Sequence, residues 1–191
     1  MAVAQRMSEQ EYEAFVWANP DAKWELHDGV LVEKPGVTWE HGGIEVVLAY
    51  FLMDQLDWTE HTVRVSDIRT RKPGDTVFIP DVAVVPIAYG GEWVNRPGKL
   101  AIVAGPLPLV AEVWSESAGG YDVDSKVPIY QQRGDLEIWR LHPYERTLIR
   151  RVRQAGGTYQ ESVHHGGVVS LAALPGVTID LDRLFEVASR T

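Results

Sequence analysis

Two segments near the start of the chain carry apolar residues at helical spacing. The first segment starts with the capping-box pattern Ser8-Glu9-Gln10-Glu11, which predicts a helix from about Ser8 to Ala18. Asn19-Pro20-Asp21 ends it. The second segment, from Trp39 to about Gln55, has an i, i+3, i+4, i+7, i+8 apolar stripe and predicts a longer amphipathic helix.

Shorter apolar runs elsewhere predict β-strands. Asp28-Gly29 separates two of these runs and is a strong hairpin signal. Single strands are expected from Thr62 to Thr70, Val77 to Val85, Leu107 to Trp114 and Leu136 to Leu141. The second and third of these are almost continuously apolar, as strands buried on both faces are.

The remaining segments complete the predicted order of elements. Residues 86–106 are rich in Gly and Pro and are expected to form a long loop with a functional role. A helix from Ser125 to Arg133 should end at Gly134, hairpins should follow from Thr147 to Ser170, and Asp180 should cap a closing helix. This order indicates an α/β fold with a mixed central β-sheet flanked by helices and extra C-terminal β-hairpins.

Composition fits one domain over residues 1–191, with residues 1–7 expected to be flexible. The chain has no cysteine, which excludes disulfides, thiolate metal sites and a cysteine nucleophile. No signal pattern or membrane-length apolar run is present, so we expect a cytoplasmic protein that does not contact a membrane. The formal net charge of −9 argues against a broad basic face for nucleic acid, since basic residues cluster only locally.

Two acidic residues interrupt the most apolar strands. Asp81 and Glu112 are each the one acid of an otherwise apolar run. Burying a carboxylate is costly unless it is paired or bound to a metal, although either acid alone could face water at a strand end. If the strands are neighbours, the two acids form a shared cation site that suits Mg²⁺.

Lys126 is the third candidate. It follows Glu112 by fourteen residues and precedes Tyr130 by four, so Lys126 and Tyr130 share a helix face if both are helical. Pro128 restricts the helix start, so the cap should be Asp124 or Ser125. The alternative is a solvated lysine at the start of a helix.

These residues stand in an order that resembles the Uma-type family of restriction endonucleases, within the PD-(D/E)XK nuclease superfamily. The resemblance runs from about Glu9 to Arg153. The segments that carry it are Trp24 to Gly29, His41, Pro80-Asp81-Val82, Glu112-Val113-Trp114-Ser115, Asp122-x-x-x-Lys126-x-x-x-Tyr130 and Glu137-Ile138-Trp139.

The resemblance implies a restriction endonuclease-like core with a site for Mg²⁺ or Mn²⁺. Asp81, Glu112 and the carbonyl of Val113 would hold the ion, and Glu25 would be an additional catalytic acid. The superfamily usually places a lysine two residues after the second acid, where this chain has Trp114. The resemblance therefore assigns the catalytic lysine to Lys126 on the following helix.

Two further residues receive accessory roles from the resemblance: His41 near the mouth of the site, and Asp122 as a group that orients Lys126. The function implied is Mg²⁺-dependent hydrolysis of DNA by a homodimer. The alternative is a catalytically inactive DNA- or protein-binding module with the same fold. A glycosidase with paired carboxylates is a third reading, but it gives Lys126 no role.

Overall fold

Four α-helices lie in the part of the chain that the computed structural model describes, residues 6–116 and 125–190. Their bounds are α1 (Glu9–Ala18), α2 (Trp39–Met53), α3 (Val127–Arg133) and α4 (Leu181–Ala188). The predicted helices are confirmed within two residues at each end. Ser8 forms the complete capping box with Glu11, and Asp180 caps α4 by accepting from the Arg183 N–H.

Thirteen strands are formed by the described residues. They are β1 (Trp24–His27), β2 (Val30–Glu33), β3 (His61–Val65), β4 (Arg69–Lys72), β5 (Thr76–Phe78), β6 (Val82–Pro86), β7 (Ile102–Val103), β8 (Leu109–Val113), β9 (Glu137–His142), β10 (Thr147–Arg153), β11 (Tyr159–His164), β12 (Val168–Ser170) and β13 (Thr178–Asp180). The hairpin at Asp28-Gly29 is confirmed.

The strands form three sheets. A six-stranded sheet has the order β11-β10-β9-β8-β6-β3, and a five-stranded sheet has the order β2-β1-β5-β4-β7. β12 pairs with β13 alone. Both larger sheets are mixed, since β8–β9 and β4–β7 are parallel while the other pairs are antiparallel. The mixed α/β class predicted from the sequence is confirmed.

Two predicted strands are each divided between the larger sheets, which corrects the sequence prediction. The chain leaves β3 at Ser66, which has a φ of 51°, and begins β4 at Arg69. It also leaves β5 after Phe78, passes Pro80, which has no N–H for a ladder, and begins β6 at Val82. The two breaks are adjacent, because the Ser66 N–H donates to the Asp81 carbonyl at 2.9 Å. Asp81 therefore lies where the chain crosses from one sheet to the other.

Both faces of the six-stranded sheet are covered. Successive residues of β6 alternate between two core clusters, with Val82 and Val84 beside α2 and α4, and Ala83 and Val85 on the face that α3 covers. A third cluster packs α1 on the five-stranded sheet. Because both faces of β6 and β8 are buried, the sequence runs around Asp81 and Glu112 are almost continuously apolar.

Two expectations about local structure need correction, and a third is confirmed. Ser125 and Lys126 already form a π-helical turn before α3, so Ser125 does not cap the helix, and the predicted alternative, Asp124, lies outside the described residues. Residues 86–106 are not loop throughout, since they contain a 3₁₀-helix (Ile87–Glu92) and β7. Gly134 does end α3, with the left-handed φ of 80° that favours glycine.

Candidate active site

Asp81 and Glu112 are brought together by the pairing of β6 with β8. Val82 lies opposite Ala111, so continuing the antiparallel register by one residue sets Asp81 opposite Glu112. Asp81 is 1% exposed and Glu112 is 2% exposed. The Val113 N–H donates to Asp81 Oδ2 at 2.7 Å and fixes the orientation of that carboxylate.

Lys126 joins this pair from the start of α3. Its Nζ lies 3.3 Å from Glu112 Oε2 and 3.0 Å from Glu25 Oε1, and all three side chains are buried. Glu25, on β1, also accepts from the Ile79 N–H at 2.7 Å. The lysine is thus held between carboxylates of the two larger sheets.

Tyr130 lies one turn after Lys126 on the same face of α3, as the i+4 spacing predicts. Its hydroxyl donates to Glu112 Oε1 at 2.5 Å. Burial raises the pKa of Tyr130 well above its usual value, and the Glu112 charge adds to this effect. Tyr130 therefore remains a neutral hydrogen-bond donor to the carboxylate.

His41 lies in the first turn of α2 and faces Asp81 from the other side. Its Nε2 is 3.3 Å from Asp81 Oδ2 and 3.6 Å from Glu45 Oε1, and the residue is only 3% exposed, so it is buried rather than at the mouth. Burial alone would lower the pKa of His41, but Asp81 and Glu45 raise it to about 9. Among the described residues, neither ring nitrogen makes a hydrogen bond of good geometry. Glu45 also accepts from the Ser66 hydroxyl at 2.7 Å.

Lys34 is a site residue that the sequence analysis missed. It follows β2, and its Nζ lies 2.6 Å from Asp81 Oδ1 and 2.7 Å from the Ile79 carbonyl. Burial alone would raise the pKa of Asp81, but Lys34 and His41 hold it well below its usual value. A lysine after a short hairpin strand has no distinguishing pattern, so no sequence signal could have identified it.

The site residues line one small cavity of about 30 Å³, which has room for a water-sized particle. Asp81, Glu112, Glu25, Lys126, His41 and Val113 all border it. The donor set fits a hard divalent cation, because buried carboxylate oxygens predominate. In the described residues, His41, Glu45 and Asp81 also have ligand atoms within 4.8 Å of one another.

Two residues named from the sequence remain, of which the structure describes only Trp114. Asp122 lies outside the described residues. Trp114 stacks on His142 with ring centroids 4.3 Å apart, so this side chain packs against another ring. The Val113 N–H donates to Asp81, whereas ion binding by the Val113 carbonyl stays a prediction.

The fold and the buried acids and lysine define a nuclease-like α/β protein, and comparisons with known proteins agree. One solved structure, described as a putative nuclease belonging to DUF820 from Anabaena variabilis ATCC 29413, is similar with a TM-score of 0.69. It is 17% identical and covers 88% of this chain and 92% of its own, which shows a shared fold. No curated protein matches this chain.

The family follows from the sequence profile. The Uma2 family, described as "Putative restriction endonuclease", matches residues 9–182. The chain therefore belongs to the Uma2 family, which confirms the resemblance recognised in the sequence. A search of the described residues finds no helix of the length and apolarity that crossing a bilayer requires.

Proposed function

We propose that the protein is a Mg²⁺-dependent endonuclease, able to use Mn²⁺, that hydrolyses DNA phosphodiester bonds with a rearranged PD-(D/E)XK site. One observation carries this proposal: Lys126 lies within 3.3 Å of Glu112 and 3.0 Å of Glu25 in a cavity that Asp81 also lines. Paired buried carboxylates with a buried lysine have the charges that phosphodiester hydrolysis requires.

Each residue has a role that its contacts support. Asp81 and Glu112, with the Val113 carbonyl, would hold the cation, which when bound would polarise a phosphate and lower the pKa of a bound water. Lys126 orients the attacking water or stabilises the extra negative charge of the pentavalent transition state. Glu25 and Glu112 fix the position of the Lys126 ammonium. His41 supports Asp81 from the α2 side.

DNA is the substrate that family membership favours, and the charge distribution restricts how it approaches. Four arginines from the locally clustered basic residues already pair with acids: Arg64 with Asp67, Arg71 with Glu9, Arg150 with Glu137 and Arg151 with Glu161. Contact with DNA is therefore confined to a limited surface. A homodimer would supply two sites for two strands, and analytical ultracentrifugation tests that expectation.

The test is cleavage of a circular DNA plasmid in Mg²⁺ or Mn²⁺. We expect Asp81→Asn and Lys126→Gln each to lower the rate by about 10²-fold or more, because each removes charge from the site. Asp67→Asn is the matched control, since Asp67 is an exposed acid near the crossing and its side chain is 49% accessible. It should cleave as the native protein does.

Undiminished cleavage by either site variant would contradict the assignment. If the native chain neither binds Mn²⁺ nor cleaves single- or double-stranded DNA, the catalytically inactive binding module is the correct reading. Calorimetric titration with Mn²⁺ alone separates loss of metal binding, expected for Asp81→Asn, from loss of chemistry with metal bound, expected for Lys126→Gln.

A further inference from the structure

Lys34 contacts the carboxylate of Asp81, which the proposed function assigns to the metal. Its Nζ contacts Asp81 Oδ1 at 2.6 Å, which is shorter than the distances from Lys126 to Glu25 and Glu112, and the Ile79 carbonyl at 2.7 Å. The other oxygen, Oδ2, accepts from the Val113 N–H and faces His41 Nε2. Both oxygens of Asp81 therefore already have partners that are either cations or hydrogen-bond donors.

A divalent cation cannot share this arrangement. A cation on Asp81 Oδ1 would lie within a few ångströms of the ammonium, and repulsion between like charges is strong where water is excluded. The Lys34 side chain is 9% accessible and that of Asp81 is 1% accessible, so solvent screens little of this repulsion.

The Lys34 side chain has space into which it can move away from Asp81. It follows the last residue of β2 and lines the same cavity as Pro35 and Val37, which continue toward α2. It also borders a second, more open pocket with Gly36, so the lysine lies between the buried site and the surface. A flexible four-carbon side chain can move its ammonium by several ångströms without a change in the backbone.

We propose that Lys34 is a positioning residue that acts as a built-in substitute for the metal. In the metal-free protein its ammonium holds Asp81 in place, and a divalent cation binds only by displacing it from Oδ1. This inference rests on the metal-dependent function proposed above. It also means that metal binds only to the molecules in which Lys34 has left Asp81, so the apparent metal affinity is lower than it would be without Lys34.

The experiment is calorimetric titration of the full chain with MnCl₂ at fixed ionic strength. Lys34→Gln and Lys34→Met are both expected to lower the Mn²⁺ dissociation constant on the order of tenfold, because they remove the competing ammonium. Lys23→Gln is the matched control: it removes the same charge from an exposed side chain whose backbone carbonyl accepts from the Lys34 N–H. Its dissociation constant should stay within about twofold of the native value, because an exposed charge is screened.

Melting temperature supplies an independent measurement. Without metal, the Lys34 variants should melt below the native protein, because Asp81 loses its nearest cation. Saturating Mn²⁺ should raise their melting temperature by more than it raises that of the native chain. If the variants do not fold, amine labelling of the native chain tests the same displacement. Mass spectrometry should then show greater modification of Lys34 with Mn²⁺ present than without it.

The outcomes separate the inference from the function. Tighter Mn²⁺ binding in the Lys34 variants but not in Lys23→Gln supports the displacement, even if the native chain binds too weakly to measure. Native binding and cleavage with unchanged or weaker Mn²⁺ binding in the Lys34 variants overturns the displacement alone, as does labelling of Lys34 that Mn²⁺ leaves unchanged. Absence of Mn²⁺ binding in every variant, together with absence of cleavage, overturns both.

Discussion

Glu112 is held at both of its carboxylate oxygens by a single short helix. Oε2 lies 3.3 Å from the Lys126 ammonium, and Oε1 accepts the Tyr130 hydroxyl at 2.5 Å. Hydrogen bonds to an ionised group are stronger than those between neutral groups. Because Lys126 directly precedes α3 and Tyr130 lies within it, the position of this helix decides the orientation of a proposed metal ligand.

Tyr130→Phe tests this orientation with little change in volume. Loss of a hydrogen bond to a charged group should lower the free energy of unfolding by about 1.5–3 kcal/mol. Cleavage or Mn²⁺ affinity should fall by about 10–100-fold, as when a partner of a metal ligand is removed. Urea unfolding and plasmid cleavage measure the two effects.

Tyr50→Phe is the control, because Tyr50 is exposed on α2 at 61% accessibility. It should change neither quantity. A Tyr130→Phe protein with native cleavage and native metal affinity would show that Tyr130 only packs.

At the scale of elements, α2 and α4 approach each other at one glycine. A Cβ on Gly43 would overlap the backbone carbonyl of Ala188, the last residue of α4, whereas nothing lies within 4 Å of a Cβ on Gly42. The close approach keeps α2 on the face of the six-stranded sheet. It thereby also positions His41, which precedes Gly43 by two residues.

Gly43→Ala and Gly42→Ala should have opposite effects on stability. Gly43→Ala should destabilise the fold by about 1–3 kcal/mol, because the added methyl group forces α4 to move. Gly42→Ala should stabilise it by about 0.5–1 kcal/mol, since alanine is the better helix residue and has open space here. Urea unfolding of both variants gives the comparison, and an equal effect from the two would contradict the packing argument.

For the molecule as a whole, Arg133 connects the two larger sheets. Its guanidinium donates to the carbonyls of Arg71 and Val103 in the five-stranded sheet. It also pairs with Asp135, 3.0 Å away, which lies two residues before β9 of the six-stranded sheet. Asp135 also accepts from the Leu107 N–H at 2.7 Å, just before β8. Burial raises the pKa of Asp135 although Arg133 opposes the rise.

Replacing Arg133 should therefore cost much more than replacing an exposed arginine. Arg133→Met leaves Asp135 buried without its cation, and we expect a loss of about 3–5 kcal/mol in the free energy of unfolding. Arg190→Met, which breaks the exposed pair with Glu186, should change it by no more than about 1 kcal/mol. Thermal and urea unfolding measure both, and similar losses in the two variants would show that Arg133 does not join the sheets.

The sequence by itself determined the features that are local. The capping box at Ser8, the apolar stripe of α2 and the Asp28-Gly29 turn each lie within a few residues, so their patterns predicted elements that the structure has. The two acids were visible for the same reason, since an acid in an apolar strand stands out without knowledge of the fold. The family resemblance added Lys126, whose spacing alone carried little information.

Only the tertiary structure decided which distant residues meet. The breaks at Ser66 and Pro80 send one continuous apolar pattern into two sheets, because a hydrogen bond from Ser66 to Asp81 and a missing N–H outweigh local strand preference. Lys34 reaches Asp81 across 47 residues of chain. Its charge has meaning only beside a buried carboxylate, and that neighbour is set by sheet pairing and packing rather than by any spacing in the sequence.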